Sequence, residues 1–215
     1  MCDGMLYRVF FCLLPLTPVL SAAGFPAPVS DIHAPANRRS ESAVLAGGCF
    51  WGVEAVFEHL KGVANAVSGY VGGSKSTAVY ELVGTGRTGH AESVRVTYNP
   101  SQISYGQLLQ VFFSIIHDPT QFGGQGPDVG SQYRSAVFYT SAEQRQVAEA
   151  YIRQLNQAKV FPRVIATEVR PLTGFYTAED FHQHFVARNP NYAYVVNYDL
   201  PKLKRLQQEF PQLWK

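Results

Sequence analysis

An α+β fold is what this sequence predicts: a two-layer α/β sandwich with a mixed sheet, built on a ferredoxin-like core with long loops. Three observations lead there. Strand and helix patterns alternate irregularly along the chain, and several strand patterns lie too close together for a crossover between every pair, which disfavours a doubly wound sheet. The helical patterns carry apolar stripes suited to covering one or both faces of a sheet. The 215 residues, 46% of them hydrophobic, suffice for one core and do not require two.

Residues 1–23 read as a processing signal. Arg8 precedes the apolar run Val9 to Leu20, too short for a comfortable membrane span, and Ser21-Ala22-Ala23 supplies small residues for a signal peptidase. Export is the expected consequence, with the periplasm as destination; an uncleaved leader tethering the protein to a membrane is the alternative. Residues 24–42, with three prolines, two arginines and no apolar period, read as a linker to a folded body spanning 43–215.

Within the body, Ala43 to Ala46 is a short apolar run suited to a buried strand, and Val53, Val56, Phe57 and Leu60 recur at helical spacing. Ala64 to Tyr70 reads as a second strand, followed by a glycine-rich loop through Gly72 and Gly73 toward Tyr80 and Gly84. Ser93 to Tyr98 alternates like a half-buried strand and stops at Asn99-Pro100. Ser104 is an N-cap for a helix burying Leu108, Leu109, Phe112, Phe113 and Ile116, which ends near His117. Gln121 to Gln132 reads as an ordered surface loop, and Ser135 to Tyr139 as a strand. Ser141 and Glu143 open a helix carrying Val147, Ala150, Tyr151 and Leu155. Ile165 to Val169 is the next strand, Ala178 to Arg188 a short helix, and Leu200 to Phe210 a terminal one.

Gly47-Gly48-Cys49-Phe50-Trp51-Gly52 is the stretch around which the chemistry is organised. It places Cys49 where a strand hands over to a helix start, and there unpaired N–H groups and the helix dipole favour a thiolate. Cys2 and Cys12 lie inside the leader, so Cys49 is the one cysteine expected in the exported chain; unpaired in an oxidising compartment, it is either inert or kept for its reactivity. Glu92 has no cation beside it in sequence, so shelter would raise its pKa and leave a neutral acid. The formal charge of +2 gives no reason to expect a polyanionic partner, and nucleic acid is not expected. The basic cluster Lys202, Lys204 and Arg205 reads as a solvated helix face. His90, His117, His182 and His184 fit no metal-binding spacing and read as structural; no metal is expected.

The string from Gly47 to Gly52, together with Thr88-Gly89-His90-Ala91-Glu92 and Gly130-Ser131-Gln132-Tyr133-Arg134-Ser135, resembles the A-type peptide methionine-S-sulfoxide reductases. The resemblance runs from about residue 43 to the C-terminus. It implies a thiol enzyme that reduces the S epimer of methionine sulfoxide, free or in proteins, on an α/β sandwich without metal, flavin or other cofactor. It implies further that Cys49 is the nucleophile, that Tyr80 and Tyr133 add phenolic donors, and that Asp128 helps position the site. Phe50 and Trp51 then hold the substrate methyl group in an apolar slot, completed by Phe185 or Tyr194. Many relatives carry a resolving cysteine just after an Asn-Pro turn, but Asn189-Pro190-Asn191-Tyr192-Ala193-Tyr194-Val195 has none. Regeneration is therefore expected from outside, by a small thiol or a thioredoxin- or glutaredoxin-like protein, acting on a monomer. Two rival classes are a Cys-His hydrolase, which needs one histidine beside Cys49, and an exported module that binds a methionine-like side chain without chemistry.

Overall fold

The computed structural model describes residues 24–32 and 39–215; the leader reading and the cysteines Cys2 and Cys12 lie outside the described residues. Among the described residues, eight strands form a six-stranded sheet and a separate two-stranded hairpin. In chain order, the elements are β1 (Glu41–Gly47), α1 (Phe50–Glu58), β2 (Val63–Val71), α2 (Tyr80–Val83), β3 (Ala91–Tyr98), α3 (Tyr105–Val111), β4 (Gly124–Gln125), β5 (Asp128–Val129), β6 (Ser135–Tyr139), α4 (Ala142–Gln157), β7 (Glu168–Pro171), β8 (Tyr176–Thr177), α5 (Phe185–Arg188) and α6 (Leu200–Glu209). The large sheet runs β7-β6-β1-β3-β2-β8. Its β1-α1-β2-β3-α3-β6 part, with the four strands ordered β6-β1-β3-β2 and antiparallel throughout, is the ferredoxin-like core. Parallel pairing of β6 with β7 makes the sheet mixed.

The helices cover one face. Ala43, Leu45, Val94, Val96 and Val137 point there and pack with Phe57 of α1, Leu108 of α3, Tyr151 of α4 and Leu206 of α6. The other face, with Val44, Ala46, Val71, Ala136 and Phe138, is covered by Leu172 and Phe175. Strict alternation along β1 assigns odd positions to one layer and even ones to the other. Ser104 caps α3 with a reciprocal capping box to Gln107, and Ser141 caps α4 by accepting from the Gln144 N–H. The stripe predicted through Ile116 is continuous, because α3 widens into a π-helical turn over Phe112–Ile116.

Two predicted elements need correction. The strand placed at 165–169 begins at Glu168, because the Ile165 N–H donates to Asn156 Oδ1 (3.0 Å) and the Ala166 N–H to the Pro119 carbonyl (2.7 Å), leaving neither for a ladder. The helix placed at 178–188 is reduced to α5. Ala178 N–H still donates to the Ser68 carbonyl, Gln183 is bound through its side chain to Ser68 and Ala178, and His184 takes a left-handed backbone (φ 54°). β3 also starts two residues earlier than its pattern suggested, so that Glu92 lies within the ladder opposite Tyr70 of β2.

Residues 24–32, read as linker, lie along the body. Tyr151 Oη donates to the Pro26 carbonyl, and Asp31 accepts from the Ser104 hydroxyl and the Gly106 N–H. On the basic face of α6, Lys204 and Arg205 are exposed as expected, though Arg205 also donates to the Ser114 carbonyl at 2.7 Å, while Lys202 is partly sheltered and lies 3.4 Å from Asp199. Among the described residues, no helix is long and apolar enough to cross a membrane.

Candidate active site

Strand order sets the site. β1 and β3 pair antiparallel with Leu45 opposite Val94, a register that carries Gly47 to Glu92, and Gly47 pairs with Ser135 of β6. The C-terminal end of β1 therefore meets the N-terminal ends of β3 and β6. Cys49 follows β1 by two residues, Glu92 is the second residue of β3, and Tyr133 comes just before β6. Gly48, at φ 95°, makes the turn that aims Cys49 over this end of the sheet. Gly52 is required one turn on, since a Cβ there would lie 2.2 Å from Asp199 Oδ1.

Cys49, Phe50, Trp51, Tyr80, Glu92, Asp128, Tyr133 and Tyr194 line one cavity of about 200 Å³, together with Tyr192. Eight of the nine predicted site residues are thus brought together. The ninth, Phe185, stands behind the wall: its ring stacks on Trp51 at 3.7 Å and 8° and does not line the cavity. Tyr192, half exposed and edge-on to Trp51 at 6.1 Å, was not singled out by the sequence reading; nothing distinguishes it there among 12 tyrosines.

Glu92 is only 2% exposed, and one of its carboxyl oxygens accepts a 3.0 Å hydrogen bond from the Phe50 N–H, at the first residue of α1. Burial pushes its pKa up to about 8, against the lowering effect of that N–H, and nearby Asp128 adds to the rise. It is a neutral acid near pH 7. Burial also pushes the Cys49 thiol well above its usual range, with Glu92 and Asp199 adding to the rise and the Trp51 N–H and Lys202 opposing it. The expectation of a resting thiolate is therefore corrected. Cys49 occupies the N-cap of α1, but desolvation outweighs the helix-end amides. Burial likewise raises Tyr80, Tyr133 and Tyr194, so all three phenols remain donors. Tyr194 Oη donates to Asp128 Oδ2, at the start of β5 in the two-stranded hairpin.

The histidines position these groups. Trp51 Nε1–H donates to His182 Nδ1 at 3.0 Å; the indole can only donate, so His182 carries its proton on Nε2. His182 is fully buried, its pKa lowered by desolvation, and its ring packs against Phe50 and Tyr80. Glu179 holds the start of α2 by accepting from the Tyr80 N–H at 2.8 Å, and it also receives the Tyr70 hydroxyl. His90 accepts from the Gly73 N–H and donates to the Ser74 carbonyl, fixing the glycine-rich loop. Arg134 clamps the carbonyls of Gly89 and His90, just ahead of β3. His117 is part-buried and held neutral, its pKa lowered by desolvation to about 3, between the Phe112 carbonyl and the Ser135 hydroxyl. Among the described residues, no histidine lines the Cys49 cavity, where a Cys-His hydrolase needs its base. A soft nucleophile, an acid and phenolic donors facing an aromatic wall can attack a polar sulfur centre and protonate the oxygen attached to it.

The family model for peptide methionine sulfoxide reductase matches residues 41–213. A peptide methionine sulfoxide reductase MsrA 2 of Mesorhizobium japonicum is 58% identical over 175 residues, covering 81% of this chain and 90% of the relative. One from Synechocystis is 50% identical over 202 residues, covering 93% and 92%. Among solved structures, Mxr1 of Saccharomyces cerevisiae in reduced form superposes with a TM-score of 0.66 at 34% identity, covering 77% of this chain and 93% of that one. Methionine sulfoxide reductase A of Corynebacterium diphtheriae gives 0.64 at 35%, covering 74% and 79%.

Proposed function

We propose a catalytic cycle from the premise that the chain belongs to the peptide methionine sulfoxide reductase family and is a peptide-methionine (S)-S-oxide reductase, an oxidoreductase that repairs oxidised methionine. The observation that carries the cycle is the placement of a neutral Glu92 in the same cavity as Cys49. The Cys49 sulfur bonds to the substrate sulfur while Glu92 gives its proton to the sulfoxide oxygen; the carboxylate left behind takes up the thiol proton. The hydroxyl oxygen then passes to the Cys49 sulfur: its bond to the substrate sulfur and the sulfur–sulfur bond both break, one new sulfur–oxygen bond forms, and an electron pair returns to the methionine sulfur. Methionine leaves, Cys49 is a sulfenic acid, and Glu92 is neutral again. Tyr80 and Tyr133 hydrogen-bond the oxygen as charge collects on it, and Asp128, held by Tyr194, orients that side of the cavity.

Phe50 and Trp51 take the methyl group, with Phe185 stiffening Trp51 from behind. Exchanging oxygen and methyl would bury an unpaired acceptor against these rings, at a cost of about 1–3 kcal/mol, which favours the S epimer.

The second half of the cycle needs an external thiol, because no cysteine follows Cys49 through Lys215. One thiol attacks the sulfenic acid, releasing water and leaving a mixed disulfide on Cys49; a second thiol releases the enzyme. A thioredoxin- or glutaredoxin-like protein or a small thiol fills this role. The protein acts as a monomer after export by its leader, on oxidised methionines outside the reducing cytosol; the mass of the mature protein tests cleavage of residues 1–23. The cycle itself is tested by mixing purified protein with one equivalent of methionine-S-sulfoxide and a sulfenic acid trap. One trapped adduct per chain at Cys49 is expected, and one methionine released in the absence of any added thiol. Release of methionine without an adduct would overturn the sulfenic acid step.

A further inference from the structure

Helix α1 carries a second buried glutamate that the sulfoxide chemistry leaves unused. Glu54 is 1% exposed and does not line the Cys49 cavity. One of its oxygens accepts a 3.0 Å hydrogen bond from the His184 N–H; the other, Oε1, is buried without a hydrogen-bond partner among the described residues. The Ser68 hydroxyl nearby is buried and unpartnered as well, near enough to act on Glu54 but outside hydrogen-bond geometry. Glu58 follows one helical turn later, and its Oε1 meets His184 Nδ1. One ligating atom from each of Glu54, Glu58 and His184 lies within 4.8 Å of the other two. Among the described residues, no lysine or arginine pairs with either carboxylate.

We infer that Glu54, Glu58 and His184 form a binding site for a first-row divalent cation of the zinc type. The donor set decides the class. Two carboxylates and an imidazole suit zinc and its neighbours, whereas magnesium and calcium favour oxygen alone. Three protein ligands leave a fourth position for water, and the two carboxylate charges balance the ion. Around a tetrahedral ion, ligand atoms stand about 3.4 Å apart, so the Glu58–His184 contact must open to admit the ion while both side chains stay close to Glu54. The groups that would move are the accessible ones: the Glu58 and His184 side chains are 23% and 48% exposed, while Glu54 forms the fixed floor. The spacing of these residues fits no local metal motif because the ligands come from two distant segments, joined only when α5 packs on α1.

The cation has a structural consequence for the catalytic wall. His184 directly precedes Phe185, whose ring stacks on Trp51. An ion joining His184 to α1 fastens that stack from both sides.

The test uses untagged protein in which Cys49→Ser removes the thiol as a competing zinc ligand, so it stands apart from reductase activity. Stripped Cys49→Ser protein and the Cys49→Ser/His184→Gly double variant are titrated calorimetrically with zinc chloride and, separately, with magnesium chloride. Glycine suits the left-handed backbone at 184, so the double variant keeps its fold, checked by circular dichroism. The expected result is one zinc equivalent in the parent whose affinity falls at least about tenfold in the double variant, with no magnesium uptake in either. Glu54→Gln, as a second variant, loses the same equivalent. Identical zinc isotherms for parent and double variant, or no uptake by the parent, would overturn the inference. Glu54 would then be a protonated buried acid beside Ser68.

Discussion

Two glutamates beside helix α1 share a physical situation and differ in company. Glu92 and Glu54 are 2% and 1% exposed, and each accepts one backbone N–H at 3.0 Å. Burial is the leading cause that raises both, to about 8 and about 7. Glu92 shares its cavity with a thiol, four phenols and Asp128, Glu54 its surroundings with a second carboxylate and an imidazole. A perturbed carboxyl is therefore not in itself a catalytic acid. What it faces decides whether its proton goes to a substrate or its charge to a cation.

The largest effect that can break this comparison is on turnover. Glu92→Gln keeps a hydrogen-bonding group but has no proton to transfer, so single-turnover reduction of methionine-S-sulfoxide should fall about 10²- to 10⁴-fold. Glu54→Gln, in the same stopped-flow assay, should remain within about threefold of the parent; equal losses would erase the distinction. Next comes Tyr133→Phe, which removes one donor to the developing oxyanion and should lower the same rate about 10- to 100-fold, with a smaller change in substrate affinity. Stability gives the third measure. The folded pKa of Glu92 exceeds its unfolded value of 4.5, so the folded state binds the proton more tightly and stability is lost as pH rises from there to about 8. Urea melts should show Glu92→Gln gaining on the parent by up to about 1.4 kcal/mol per pH unit across that window and no further above it. The smallest effect is on the opposite wall. Trp51→Phe forfeits the bond to His182 Nδ1 and should raise KM several-fold, about 1 kcal/mol, with kcat nearly unchanged.

Much of this was legible from local pattern. The caps Ser104 and Ser141, the stripe from Leu108 to Ile116 and the apolar run of β1 are set by neighbours within a few residues, and they hold. The segments that moved are governed by distant partners. Ile165 and Ala166 spend their amides on Asn156 and Pro119, and Gln183 is bound to Ser68, more than a hundred residues away. α2, β8 and the β4–β5 hairpin are too short to imprint a period.

At the site, Cys49, Phe50, Trp51, Glu92 and Tyr133 lie within the motif strings, whereas Tyr80, Asp128 and Tyr194 lie outside them and join the cavity through the fold; Glu92 owes its chemistry to burial that no local pattern reports. The helix-end argument for Cys49 was sound in sign and too small in size, since a chain position does not reveal desolvation. Glu54 and His184 were not joined, because their meeting depends on how a four-residue helix packs against α1.

The most direct measurement is the pH dependence of single-turnover methionine release from methionine-S-sulfoxide, in the parent and in Glu92→Gln. With a neutral Glu92 as the proton donor, the parent rate falls as pH rises through about 8, and the variant is slow without that limb. A parent rate that climbs through pH 8, or a variant retaining both rate and limb, would contradict the assignment.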